Sequence, residues 1–114
     1  MAQDCLFCGI AQGAVPSDIL YRDEDCFVIR DINPRAPVHL LIVPLRHVVE
    51  LTQVAEANEP LVGHLFTVAG AMAKKEGVAQ DGYRLAINQG DNAGQTILHL
   101  HLHLLGGRPM GPEG

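Results

Sequence analysis

The chain has 114 residues, enough for one small domain with a hydrophobic core. Its formal net charge is −5 and it has no cluster of lysine and arginine, which argues against long DNA or RNA as a partner. No apolar run approaches the ~18 residues of a membrane span, and the first residues lack a basic leader, so we expect a cytoplasmic protein without a membrane segment. Three cysteines, an odd number, favour free thiols or metal ligation over disulfides.

The first third of the chain predicts a short helix followed by three strands. Residues 5–14 suit a short helix that ends near Gly13. Two short apolar segments, 19–22 and 26–31, flank the turn Asp23-Glu24-Asp25 and predict a β-hairpin. After a proline-containing loop at 33–37, the run at 38–43 predicts a third strand that ends before Pro44.

A long helix is predicted over residues 60–76. Asn58 is a suitable N-cap, and Pro60 lies in the first turn, where proline is tolerated. Lys74 and Lys75 complement the negative end of the helix dipole, and Gly77 can end the helix. The apolar residues that follow helical spacing and predict its buried face are Leu61, Val62, Leu65, Val68, Ala69, Met72 and Ala73.

Two further strands are predicted at residues 83–88 and 98–105. The order is then short helix, hairpin, strand, long helix, strand and strand. This order predicts a single α+β domain with a five-stranded, mostly antiparallel sheet.

The last predicted strand has an unusual pattern, because His99, His101 and His103 alternate with leucines. Alternation of this kind indicates a half-buried strand with the imidazoles on one face and the leucines on the other. His99 and His103 would lie about 14 Å apart along an unbent strand, too far for all three imidazoles to bind one ion. Two neighbouring histidines suit a metal, and the third suits a nucleophile or proton carrier. A histidine-rich metal patch is the alternative.

The segment 88–96, between the last two strands, contains two glycines. Glycine lets backbone N–H groups approach an anion closely, because no Cβ blocks the way. By itself such a segment is more often only a turn. Directly before three histidines on one face, it supplies phosphate donors beside a nucleophile, as phosphoryl chemistry requires.

Residues 88–108, with the His-Leu-His-Leu-His-Leu-Leu run and the Gly-Gly-Arg after it, resemble the histidine-triad (HIT) family, and specifically its Hint branch. The resemblance includes the segments 31–39 and 44–47 and covers nearly the whole chain. It implies the HIT fold, a homodimer, and a nucleotide-binding hydrolase. Its expected substrates are purine nucleoside phosphoramidates or related nucleotidyl compounds, cleaved through a nucleotidyl-histidine intermediate.

The resemblance also implies a role for individual residues. His101 matches the nucleophile, and His39 and His103 match the histidines that complete its network. Thr96 stands where the family often has serine and keeps a hydroxyl that can donate to the leaving group. Asp31 matches the acid that binds the ribose hydroxyls. The residues that match the phosphate loop are Asn88, Gly94, Gln95 and Thr96, and those that match the apolar base slot are Phe7, Ile10, Val15, Ile29 and Ile32.

The pair Cys5-Leu6-Phe7-Cys8 is a CxxC that many members of the Hint branch lack. A redox role would need a thioredoxin-like βαβ context, which does not follow in the chain. Several bacterial HIT proteins bind zinc, and the resemblance implies a closed structural site made by Cys5, Cys8, His47 and His99. Two buried thiols without metal are the alternative, and Cys26 is expected in the core.

Two other functions remain open from the sequence. One is cleavage of dinucleoside polyphosphates, as in the Fhit branch. The other is a zinc-stabilised nucleotide-binding or scaffold protein with little turnover. No aromatic residue follows Tyr83, whereas some Hint relatives place one near the partner subunit's ligand, so the leaving group is not indicated.

Overall fold

The fold was obtained as a computed structural model that describes residues 5–53 and 58–113. The expectation of no basic leader rests on the first four residues, which lie outside this range. Within the described residues, two α-helices lie against the sheet, α1 (Leu6–Ala11) and α2 (Glu59–Lys75), and a short 3-10 helix spans Asp91–Ala93. The strands are β1 (Ile19–Arg22), β2 (Cys26–Arg30), β3 (Val38–Pro44), β4 (Tyr83–Ala86) and β5 (Leu102–Gly106). The predicted α+β fold is therefore confirmed.

The five strands form one sheet in the order β1-β2-β3-β5-β4, and every neighbouring pair is antiparallel. The predicted hairpin is the β1–β2 pair. Its turn is held by Asp23, whose Oδ1 accepts hydrogen bonds from the backbone N–H groups of Asp25 and Cys26.

One face of the sheet packs against α2 and forms the larger core. Alternate residues of the central strands point to this face because strand side chains alternate with a period of two. The buried members of this core are Cys26, Val28, Leu40, Ile42, Val48, Leu61, Leu65, Val68, Ala69, Met72, Ala73, Val78, Leu100, Leu102 and Leu104. The prediction that the apolar face of the long helix is buried is confirmed for six of its seven residues, and Val62 is half-buried.

The other face of the sheet packs against α1 and forms a smaller core. Two residues of α1 and the intervening residues of the same strands form this core. Its buried members are Phe7 and Ile10 on α1, and Phe27, Ile29, Leu41 and Val43 on the strands. Cys26 lies in the larger core, as expected, and is fully buried.

The ends of α2 follow the sequence signals. The Asn58 side chain accepts a hydrogen bond from Leu61 N, so it caps the first turn. Gly77, with φ of 78°, follows the C-cap residue Glu76 and ends the helix in a conformation that favours glycine.

Two predicted elements are shorter in the structure. The first helix ends at Ala11 because the N–H groups of Ala14 and Val15 both bond to Gly9 O, which turns the chain. The second strand ends at Arg30 because the next residue, Asp31, makes a turn in which its Oδ1 accepts from Asn33 N.

The last two strands differ more from the prediction. The strand predicted at 98–105 begins only at Leu102, since the chain bends at His99, whose N–H bonds to Ile97 O. The strand predicted at 83–88 ends at Ala86. Ala86 pairs with His103, the second residue of β5, so residues after Ala86 have almost no strand with which to pair. The prediction of a half-buried strand is also wrong, because both faces of β5 are covered and all three histidines are buried.

Among the described residues, no helix combines the length and apolar character that crossing a bilayer requires.

Candidate active site

The register of the sheet places two histidines on the face that carries the smaller core. Leu41, a member of that core, pairs with His103 across β3 and β5. His39 precedes Leu41 by two residues on β3 and so shares its face. The Nε2 of His39 lies 2.9 Å from Nδ1 of His103, and the two rings are almost completely buried.

The tautomers of these two histidines follow from their partners. Arg35 N donates to Nδ1 of His39 at 3.1 Å, so the proton of that ring is on Nε2. His39 Nε2–H then donates to Nδ1 of His103, which places the proton of His103 on its own Nε2. Within the described residues, this Nε2 is the one buried side-chain nitrogen or oxygen that has no hydrogen-bond partner. A buried donor of this kind is suited to a ligand oxygen.

His101 lies directly before β5, beside His103, with ring centroids 4.9 Å apart. Its Nδ1 donates to the backbone carbonyl of His99 at 2.7 Å. This bond leaves the lone pair on Nε2, which is the nitrogen that remains for a ligand. A ring whose tautomer is fixed in this way by a backbone acceptor is suited to act as a nucleophile.

Burial makes the imidazoles of His39 and His103 poor bases. Desolvation, followed by the neighbouring rings of His101 and His39, lowers the pKa of His103 to about 4. Desolvation also lowers the pKa of His39, while the carboxylate of Asp31 opposes that shift. His103 is therefore neutral near pH 7 and acts as an N–H donor rather than as a cation.

A cavity of about 660 Å³ opens in front of His101 and His103. All ten residues predicted to bind the nucleotide line it: Phe7, Ile10, Val15, Ile29, Asp31, Ile32, Asn88, Gly94, Gln95 and Thr96. Its lining combines apolar side chains with two histidines, an aspartate and the loop. The structure thus brings together the sequence-predicted residues, although Ile32 is 89% exposed and so belongs to the rim.

The loop before the histidines reaches the cavity through Asn88, Gly94 and Thr96. Gly94 has φ of 77°, a left-handed conformation that other residues adopt at a cost. Gln95 also lines the cavity, but its side chain braces the loop, because its Oε1 accepts from Gly90 N and from Nε2 of Gln89.

His39 is not among the residues that line the cavity and acts from behind His103. Sequence reasoning did not identify two partners of this network, the N–H of Arg35 and the carbonyl of His99. Both are backbone groups, and their involvement depends on tertiary structure. The side chain of Arg35, which also lines the cavity, was likewise not predicted.

The four residues predicted to bind zinc also lie together. One ligand atom from each of Cys5, Cys8, His47 and His99 lies within 4.8 Å of all the others. Cys5 Sγ lies 3.2 Å and Cys8 Sγ 3.6 Å from Nδ1 of His99, and Cys8 Sγ lies 3.2 Å from Nδ1 of His47. In a tetrahedral zinc site the usual bond lengths separate sulfur and nitrogen ligands by about 3.5 Å, so the set fits the ion.

A backbone carbonyl orients His99, one of the four residues that could hold a metal, and burial affects the Cys8 thiol. Nε2 of His99 donates to Pro44 O at 2.8 Å, which leaves Nδ1 free as a ligand. Burial, followed by the adjacent Cys5 thiol, raises the pKa of Cys8 to about 11. A buried thiol resists ionisation in the absence of a cation, and a bound Zn²⁺ offsets that cost by holding the thiolate.

Two residues connect the cysteine cluster to the cavity. His99 contributes its side chain to the cluster and its carbonyl to His101. Phe7, between the two cysteines in sequence, packs edge-on against the rings of both His99 and His101, with centroids 5.6 and 5.1 Å away. Order in the cluster is therefore transmitted to the position of His101.

The buried imidazole pair, His101 and the glycine-containing loop lie around one cavity, as the resemblance to the histidine-triad family implied. A family model described as HIT domain matches residues 12–110. This chain therefore belongs to the HIT family.

Similarity to individual proteins and solved structures agrees with membership of the HIT family. The chain is 44% identical to a purine nucleoside phosphoramidase of Escherichia coli K12 over 112 residues, which cover 98% of this chain and 94% of the relative. A HIT family hydrolase from Legionella pneumophila has the same fold, with a TM-score of 0.93, 42% identity, and coverage of 96% of this chain and 99% of that one. A zinc-bound histidine-triad protein from Mycobacterium smegmatis superposes with a TM-score of 0.79 at 32% identity, covering 95% of this chain and 78% of that one.

Proposed function

We propose that this protein is a nucleotidyl hydrolase that cleaves purine nucleoside phosphoramidates or related nucleotidyl compounds. The observation that carries the proposal is the state of His101, whose Nδ1 is engaged by His99 O while its ring lines the cavity. Similarity to a purine nucleoside phosphoramidase supports the same substrate class.

The proposed reaction has two displacements at phosphorus. His101 Nε2 attacks the α-phosphorus, the P–N bond breaks, and the amine leaves with a proton supplied through the Thr96 hydroxyl, which regains a proton from the water that attacks in the second displacement. Water then attacks the nucleotidyl-histidine, which releases the nucleoside monophosphate and restores the imidazole. Positive charge that forms on the His101 ring is stabilised by the carbonyl of His99, and His103 Nε2–H donates to a phosphate oxygen.

Binding of the nucleotide is assigned to the rest of the cavity. The apolar lining residues Phe7, Ile10, Val15 and Ile29 receive the purine base. Asp31 accepts hydrogen bonds from the ribose hydroxyls, and the loop with Asn88, Gly94 and Thr96 holds the phosphate.

Zinc and a second subunit complete the proposal. Cys5, Cys8, His47 and His99 hold one structural zinc ion, which fixes the end of α1 to the segment before β5 and takes no part in the chemistry. The protein is a homodimer formed through α2 and an edge of the sheet.

The covalent intermediate provides the test. The protein is mixed with an adenosine phosphoramidate, quenched in alkaline denaturant because a P–N bond is acid-labile, and its intact mass is measured. We expect an increase of one adenylyl group in the wild type and none in His101→Ala. His64→Ala, which removes a histidine on α2 outside the cavity, is the matched control and retains the adduct. An adduct that persists in His101→Ala would place the nucleophile elsewhere.

A further inference from the structure

Asp31 lies at the junction of the cavity and the buried histidine pair. It lines the cavity, and its Oδ2 is 3.4 Å from Nε2 of His39. Its other oxygen, Oδ1, accepts from Asn33 N at 2.8 Å, which fixes the orientation of the carboxylate. Asp31, His39 and His103 each present a polar atom within 4.8 Å of the other two. A residue that only binds ribose would not need to approach the buried pair.

The proton on His39 Nε2 controls the donor that His103 presents to the cavity. With that proton in place, Nδ1 of His103 is an acceptor, and the His103 proton must be on Nε2. If His39 carried its proton on Nδ1 instead, this N–H would face the N–H of Arg35, and His103 Nε2 would lose its proton. The Asp31 carboxylate, next to Nε2 of His39, favours the first arrangement because it attracts that N–H.

From this geometry we infer that Asp31 is a positioning residue for the reaction, in addition to its role toward ribose. It holds His39 in the Nε2–H form, and His39 in turn keeps the N–H of His103 directed at the phosphate. The identity of the phosphate group rests on the proposed function. The orientation of the histidine pair does not depend on it.

The charges around the pair agree with this role. The charged or titratable groups that face it are Asp31, Arg35 and His101. Burial, His101 and Arg35 disfavour positive charge on the pair, and Asp31 is the group that favours it. The carboxylate is therefore the charged group that attracts the N–H of His39, and both rings can stay neutral.

The substitution Asp31→Asn isolates this effect because the two side chains have the same shape. The asparagine Oδ1 can still accept from Asn33 N, so the local turn is preserved. Its NH₂ group then faces the N–H of His39, and two donors oppose each other. Asp18→Asn is the matched control, since it removes the same charge from an exposed position next to Ser17 at the cavity rim.

The kinetic test separates ribose binding from positioning by using a substrate without ribose hydroxyls. Single-turnover rates are measured at saturation with adenosine phosphoramidate and its 2′,3′-dideoxy analogue. We expect Asp31→Asn to lower the single-turnover rate with both substrates about tenfold relative to wild type, equivalent to about 1.4 kcal/mol. Asp18→Asn should lower the rate with neither substrate. If Asp31→Asn and the wild type turn over the dideoxy substrate at the same rate, Asp31 acts on ribose alone and the inference is wrong.

A second measurement needs no substrate. Nitrogen-15 NMR of labelled histidines reports which ring nitrogen carries the proton. We expect His39 and His103 to be Nε2–H tautomers in the wild type and in Asp18→Asn, and a clear Nδ1–H population to appear in Asp31→Asn. Unchanged tautomers in Asp31→Asn would overturn the inference. If the wild type cleaves neither substrate, the proposed function fails, and this measurement alone decides the role of Asp31.

Discussion

The two faces of the sheet are made by alternate residues of the same strands, yet one face forms a closed core and the other borders the cavity. On β3, Leu40 and Ile42 pack under α2 in the larger core, whereas His39, Leu41 and Val43 face the smaller one. The larger core is closed by a helix of 17 residues, and the smaller one is covered by a helix of only six. The smaller core therefore remains open at one side, and the cavity with its histidines occupies that opening.

This difference separates stability from chemistry. The core under α2 contains more buried apolar residues than the other core, and none of these residues lines the cavity. The face under α1 depends on polar contacts and on the cysteine cluster to hold its short helix in place. Substitutions on the two faces should therefore have different consequences.

The largest effect on stability is expected for Leu65→Ala. Leu65 is fully buried on α2, and its truncation should cost roughly 2–5 kcal/mol, because a cavity remains in the closed core. Urea unfolding measures the loss, and calorimetric titration with AMP should show unchanged affinity in the folded fraction. Lys74→Ala, exposed on the same helix, should change stability by less than about 0.5 kcal/mol. A loss of AMP affinity in Leu65→Ala would show that the two faces are coupled.

Next in size is the loss of zinc in Cys8→Ser. We expect about one zinc per chain in the purified protein, and none in this variant. Because zinc binds the folded state, its loss should cost about 3 kcal/mol at a free zinc concentration 100 times the Kd, and the Tm should fall. Elemental analysis and thermal unfolding measure the two effects. Cys26→Ala, a thiol removed from the other face, should keep the metal, and full zinc retention in Cys8→Ser would show that the site is assigned wrongly.

A dependence of stability on pH should follow from His103. Its pKa is about 4 in the folded protein and near 6.5 in the unfolded chain, so the unfolded state binds the proton more readily. Stability should be complete above pH 6.5 and decline as the pH falls toward 4, by up to about 3 kcal/mol from this residue. His103→Gln should flatten this part of the curve measured by urea unfolding. An equally steep curve in the variant would assign the dependence to other groups.

The smallest effect on the stability of the folded chain is expected for Phe66→Asp, at the surface of α2. Phe66 is 43% exposed there, and the homodimer proposed through this helix would cover it. Light scattering should give twice the mass of the chain for the wild type at micromolar concentration. Phe66→Asp should weaken the dimer without altering the cavity. A wild type that is only monomeric would contradict the proposed dimer.

The sequence predicted the elements of the fold well, because periodicity reports burial. The alternation around His101 and His103 correctly placed Leu102 and Leu104 on the opposite face, and the spacing from Leu61 to Ala73 correctly identified the buried face of α2. The ends of the elements were predicted less well. They depend on single contacts, such as the Asp31 turn that ends β2 and the bend at His99 that delays β5.

The candidate site was predictable where side chains carry it. The four cysteine and histidine residues predicted to bind zinc lie together, and the ten residues predicted to bind nucleotide line one cavity. The backbone groups that orient the histidines were not predictable, since Arg35 N and His99 O have no signature in the sequence. The contact between Asp31 and His39 was also missed, because it depends on how the chain turns after β2.

Whether His101 forms a bond to phosphorus is decided by the turnover rate of His101→Ala. Turnover of an adenosine phosphoramidate should fall far more than tenfold, while AMP still binds, because Asp31, the base slot and the phosphate loop remain in place. A variant that keeps its rate within about tenfold of the wild type, a barrier difference of only ~1.4 kcal/mol, would contradict covalent catalysis by this residue.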